Sequence, residues 1–163
     1  MEVTIRVYHS RDAAALSEVF YRSVRDVAIS DYSAEQVRAW APEQRRAAAS
    51  TQLWAGDGRL VLVAADERDD PVAFIDLEPD GHIDHLFCAP EAAGHGIASQ
   101  LYQAVEAAAR EHGIARFYTE ASELARRFFE RRGFVMVARQ DLVRHGVPIH
   151  NYKMTRELPQ ATS

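Results

Sequence analysis

Cysteine is nearly missing from this chain: Cys88 stands alone, which excludes an internal disulfide and fits a reducing compartment. Positive charge is also scarce. Nineteen Lys and Arg against 24 Asp and Glu leave a formal net charge of -5, so the positive field that general nucleic-acid or anionic-membrane binding needs is lacking. No apolar run approaches the roughly 20 residues that cross a bilayer. The start, Met1-Glu2-Val3-Thr4-Ile5-Arg6, has neither the basic nor the apolar region of a secretory leader. The expected location is cytoplasmic. Repeats and low-complexity tracts are absent too, and the 163 residues suffice for one domain with a substantial core. That domain is expected over residues 1–158, with 159–163 as a frayed tail.

What is present alternates between strand and helix patterns. Val3, Ile5 and Val7 keep the period of a half-buried strand. Ser10 is a candidate cap for a helix with apolar positions at Leu16, Val19, Phe20 and Val24. Ser33 with Gln36 forms a capping box for a short helix through Trp40, and Pro42 opens another to about Ser50. Strands follow over 60–65, 72–77 and 82–88, joined by turns too short for anything but antiparallel neighbours. A helix ends near Gly113, a strand over 114–121 should then run parallel to 82–88, and a helix over 122–132 precedes a hairpin turning at Arg144-His145-Gly146. The expected fold class is α/β (α+β): a mixed sheet of about seven strands, mostly antiparallel with one parallel pair, and helices on both faces.

The densest signal is the run from Leu86 to Leu101, where a strand ends at Pro90, Gly94 and Gly96 follow, and a helix begins at once. Such a joint aims unpaired backbone N–H groups and the positive end of a helix dipole at one spot. A phosphate is its natural occupant. A P-loop is excluded, because neither the lysine nor the hydroxyl of that motif follows. A dinucleotide fingerprint lacks its third glycine, although Glu120 lies at a plausible distance for a ribose-binding acid.

Pro90 to Leu101 resembles the acyl-CoA loop of the GNAT N-acyltransferase superfamily, with Gly96 and Ala98 as its small residues and Ala93 where that loop has Gln or Arg. Downstream, Ser122-x-x-Ala125-x-x-Phe128-Phe129-Glu130-x-x-Gly133-Phe134 is similar to a second signature of the same superfamily. The resemblance implies a mixed sheet whose fourth and fifth strands splay apart to admit acyl-CoA. It also implies an acetyl-CoA-dependent N-acetyltransferase acting on a primary amine of a small molecule, amino acid or peptide. A domain that binds acyl-CoA without turnover is the alternative, motivated by Ala93 and Phe129.

Each requirement of that reaction has candidate residues. The cradle for the coenzyme diphosphate is Gly94, His95, Gly96, Ile97 and Ala98, held to be backbone donors plus one basic side chain. The resemblance implies that the pantetheine pairs with Leu86, Phe87 and Cys88, and that an N–H near Phe87 or Cys88 polarises the carbonyl. Cys88 reads as a small apolar filler. Ser122 replaces the family asparagine. Phe129 replaces its tyrosine, leaving no acid there, for which Tyr152 or Tyr32 could substitute. Among the arginines of the following helix, Arg126 is the candidate for the adenosine 3′-phosphate. His82 and Asp84 share one strand face if the strand is regular, at positions where the family has bases. Asp84, nearer the loop, is preferred, His82 is second, and His85 points the other way unless a bulge intervenes. Tyr32 and Trp40 are the candidate acceptor contacts. No metal site is expected, and the chain is expected to be a monomer or homodimer.

Overall fold

The computed structural model describes residues 1–27, 32–40 and 51–160. Their elements run β1 (Thr4–Val7), α1 (Ala13–Arg22), α2 (Ala34–Trp40), a helix α3 described over 51–55, β2 (Leu60–Ala65), β3 (Pro71–Leu77), β4 (His82–Ile83), β5 (Leu86–Cys88), α4 (Ile97–Glu111), β6 (Arg116–Ala121), α5 (Glu123–Glu130), β7 (Val135–Arg144) and β8 (Val147–Glu157). The helix opened by Pro42 falls outside the described residues, as does the end of the tail.

The strands form two four-stranded sheets, ordered β1-β2-β3-β5 and β4-β6-β8-β7. All pairings are antiparallel except β4 with β6, where His82 faces Tyr118 and Ile83 faces Thr119. The parallel crossover therefore lies where the sequence places it. The single strand expected over 82–88 does not exist. It breaks at Asp84 and His85, with β4 joining one sheet and β5 the other.

β2 reads LVLVAA, a continuous apolar run, because both its faces are covered. Val61 and Val63 pack with Phe74 against Leu16 and Val19 of α1. Leu62 and Ala64 pack with Ile75 against Ile97, Leu101 and Val105 of α4. Helix starts follow local chemistry. Ser33 and Gln36 make the expected reciprocal box, with Gln36 N–H to Ser33 Oγ at 3.1 Å and Ser33 N–H to Gln36 Oε1 at 3.0 Å. The chain enters α1 differently from the expected Ser10 cap: Asp12 accepts the His9 N–H at 2.8 Å across a 3-10 turn. The β7–β8 hairpin turns at His145 and Gly146, both at positive φ (50° and 76°), as a tight two-residue hairpin turn demands.

Candidate active site

The divergence of β5 from β6 opens two chambers. One, of about 510 Å³, runs past Cys88, Gly94, Gly96 and Ile97 on one side and Leu124, Arg127 and Arg131 on the other. The second, also about 510 Å³, is bounded by Asp84, His85, Glu120, Phe129, Gln140 and Asn151. Leu86, Phe87, Ser122 and Ala125 border both, so the chambers meet at the strand gap.

The first chamber ends at the glycine corner before α4. Gly96 caps α4 from the left-handed region (φ 73°) and Gly94 sits at φ 80°. A Cβ at either would meet nothing within 4 Å, so glycine is required here by backbone conformation and keeps the approach clear. No side chain caps α4, and its first internal bond is Gln100 N–H to Gly96 O at 3.2 Å. The N–H groups of Ile97, Ala98 and Ser99 are thus left facing outward at the positive end of a 15-residue helix. His95 is exposed and stands outside the chamber wall.

Alternation of the ladder decides which β5 amides face the gap. Asp76 N–H bonds His85 O at 3.1 Å and Ala89 N–H bonds Val72 O at 2.8 Å, with Phe87 opposite Phe74 between them. Bonded residues alternate in an antiparallel pair, so the amides of Leu86 and Cys88 point away from β3. Of the two candidate donors, Cys88 faces the gap and Phe87 does not. The Cys88 thiol is pushed up to about 11 by burial, which suits a filler and not a nucleophile.

Across the gap, Ser122 Oγ accepts the Ala125 N–H at 3.2 Å and so caps α5 while bordering both chambers. Arg126 does not line the first chamber. It lies 4.5 Å over the Tyr152 ring, between Glu123 and Glu130, while Arg127 and Arg131, one turn apart, line the chamber. Helical phase explains the correction, since residues one and five further on point elsewhere than 126. Phe129 is 2% exposed and lines the second chamber.

The break in the strand has a specific cause. Asp76 is a fully buried carboxylate inside the otherwise apolar β3. Its Oδ1 accepts the N–H groups of Asp84 (2.9 Å) and His85 (2.7 Å), and its Oδ2 accepts Arg59 at 2.8 Å. His85 Nδ1 approaches the same Oδ2 at 2.7 Å. Two consecutive amides turned to one carboxylate cannot continue a ladder, so Asp84 and His85 bulge and both line the second chamber. Burial alone would raise Asp76, but His85 and Arg59 hold it below the usual carboxylate range. Asp76, Asp84 and His85 bring ligand-type atoms within 4.8 Å of one another. Arg59, bonded to Asp76 at 2.8 Å and Asp84 at 2.9 Å, already supplies the positive charge there.

His82 is placed differently from the expectation. Its Nδ1 meets Glu78 at 2.7 Å, its Nε2 meets Glu120 at 2.6 Å, and its ring stacks on Tyr118. Glu120 chiefly, with Glu78, raises it to about 9 against the cost of burial. It therefore carries a proton at neutral pH and has no free nitrogen, which is wrong for a base. Tyr32 is a core residue, packed with Val37 and Ile149, and its hydroxyl accepts the Glu123 N–H at 2.9 Å. Tyr152 is likewise buried, donating to Glu123 Oε1 at 2.5 Å. Neither lines the gap. Trp40 ends α2, and its side chain lies outside the described residues.

Comparison with known proteins places the chain in a family. Residues 28–156 match the family model described as "Acetyltransferase (GNAT) domain". This chain belongs to the GNAT acetyltransferases. It is 32% identical over 162 residues to the uncharacterised N-acetyltransferase YafP of Escherichia coli (strain K12), covering 97% of each. It superposes on a GCN5-related N-acetyltransferase from Rhodopseudomonas palustris with TM-score 0.83 and 32% identity, over 97% of each chain. A GNAT phosphinothricin acetyltransferase from Sinorhizobium meliloti, in complex with AcCoA, shares the fold at TM-score 0.72 and 19% identity, over 97% of this chain and 89% of that one. As a GNAT domain the protein is an acyltransferase. Sequence reading missed Asp76, Arg59 and Trp54; the available signal was a carboxylate inside an apolar strand, which has to be paired to be buried.

Proposed function

We propose that this GNAT domain transfers an acetyl group from acetyl-CoA to a primary amine of a small molecule, amino acid or peptide. The observation that carries it is the meeting of two chambers between β5 and β6, one with anion-binding amides and one with acid–base side chains. Acetyl-CoA, when bound, supplies a thioester whose thiolate leaves readily, an aqueous thiol having a pKa near ~8.5. The glycine corner fits its diphosphate, since the amides of Ile97, Ala98 and Ser99 lack helical partners and Gly94 and Gly96 leave the approach open. Arg127 and Arg131 add positive charge on the facing wall. The Leu86 and Cys88 amides offer hydrogen bonds to an extended arm, by strand addition, and a donor where negative charge develops on the carbonyl. With no phenol at Phe129, the thiolate leaves without an acid from α5.

The acceptor must lose a proton. An alkyl amine with pKa ~10.4 is neutral in only about one molecule in two thousand at pH 7, so a base and an ammonium-attracting surface both contribute. Asp84 and Glu120 bring carboxylates to the wall of the second chamber, where an ammonium can meet them. Calorimetry with acetyl-CoA and with CoA, followed by thiol release against a panel of primary amines, tests the reading. Micromolar binding and amine-dependent release are expected; wild-type protein that binds neither coenzyme overturns it.

A further inference from the structure

We infer that His85, held by Asp76 and stacked on Trp54, is the general base of the reaction, with Asp76 as its positioning residue. The inference rests on the transfer reaction proposed above and adds the group that takes the acceptor's proton.

Three observations converge on His85. Its Nδ1 is 2.7 Å from Asp76 Oδ2 and its backbone N–H is 2.7 Å from Oδ1 of the same carboxylate. The ring is further clamped by Trp54, centroids 4.4 Å apart and 22° from parallel. Asp76 also accepts from Arg59, so it is an anion with no proton to give and must be the acceptor from Nδ1. In the neutral ring the proton therefore sits on Nδ1 and the lone pair on Nε2. Nε2 has no hydrogen-bond partner among the described residues, and His85 forms part of the acceptor chamber wall next to Leu86 at the gap. The pattern is a buried carboxylate orienting an imidazole that borders the reaction space.

The rival groups are committed elsewhere. Asp84 Oδ2 is bonded to Arg59 at 2.9 Å, and both His82 nitrogens hold carboxylates. The charged and titratable groups around His85 are Asp76 from β3, Asp84 at 3.6 Å, and Arg59 bonded to both. Among the described residues, Trp54, Phe74 and Phe87 pack around its ring, and Glu120 and His150 line the same chamber. In the step itself the amine nitrogen forms a bond to the acetyl carbon and the carbon–sulfur bond breaks. Sulfur leaves with the electron pair as thiolate, and the nitrogen's proton moves to His85 Nε2 and then to solvent.

The test uses the full chain, acetyl-CoA and whichever panel amine the wild type acetylates fastest. His85→Gln is expected to lower kcat/KM by about 10²–10⁴-fold, with acetyl-CoA affinity within about threefold and the acidic limb of the pH profile lost. Free imidazole should partly restore His85→Ala, which a packing role would not allow. Asp76→Asn puts an amide donor against the ring, and should lower kcat while moving the proton from Nδ1 to Nε2. Nitrogen-15 NMR of labelled histidine reads that tautomer directly and needs no acceptor. His85→Gln retaining wild-type rate and pH profile, or a wild-type His85 protonated at Nε2, overturns the inference. Wild-type protein that binds no acetyl-CoA overturns the transfer reading instead.

Discussion

The Asp76 carboxylate holds His85 at two points, accepting its backbone N–H at Oδ1 and meeting its ring Nδ1 at Oδ2, each at 2.7 Å. One carboxylate thereby interrupts a strand, divides the structure into two sheets and orients an imidazole at the resulting gap.

Arg59 is the cation of that knot, 7% exposed and bonded to Asp57, Asp76 and Asp84. Arg59→Met leaves the buried Asp76 without its countercharge, an imbalance that costs about 3–5 kcal/mol. At ~2–4 °C per kcal/mol for a chain of this size, calorimetry should show Tm lower by roughly 10 °C. A change below 3 °C would mean the guanidinium is dispensable.

Gly96→Val places a β-branched residue at φ 73°. The left-handed region costs about 1–2 kcal/mol for an L-residue, and relief of that strain would swing the Ile97–Ser99 amides off their target. Acetyl-CoA affinity should drop at least tenfold by isothermal calorimetry, with far-ultraviolet dichroism unchanged. Undiminished affinity would remove the glycine corner from the site.

Arg131→Ala is expected to weaken CoA binding about three- to tenfold, and more at low salt than at high. Arg126→Ala, on the far side of α5 over Tyr152, should stay within twofold of wild type. The reverse order of effects would restore Arg126 as the phosphate contact.

His82 sets a pH dependence of stability. Its folded pKa, about 9, lies above the ordinary value of ~6.5. A raised pKa means that the protonated form is stabilised by folding, fully so below pH ~6.5, with the contribution lost as pH rises toward 9. Tm should therefore decline by several degrees between those limits, and His82→Gln should flatten the slope. An equal slope in both proteins would show that the Glu78–His82–Glu120 contacts contribute nothing.

The glycine corner was legible because its signal is local. Proline, two glycines and a helix start within one short stretch have few backbone solutions, whatever surrounds them. The helix phases of α1 and α4 and the β7–β8 turn were legible for the same reason. The split of 82–88 was not: period-two alternation carries no mark of a residue on another strand bending the ladder. Which arginines line the first chamber was not legible either, because a helix with four neighbouring arginines shows its buried side only once α5 is docked.

Sequence by itself determined most of the helices and strands, the parallel crossover between β4 and β6, and the two left-handed glycines before α4. All of these depend on backbone propensity and apolar spacing among near neighbours. Tertiary structure alone decided that Asp76 meets Asp84, His85 and Arg59, that Tyr32 is core, and that His82 is locked between two glutamates. Those outcomes depend on burying charge, and a buried charge is tolerable only beside a partner that the chain brings from elsewhere.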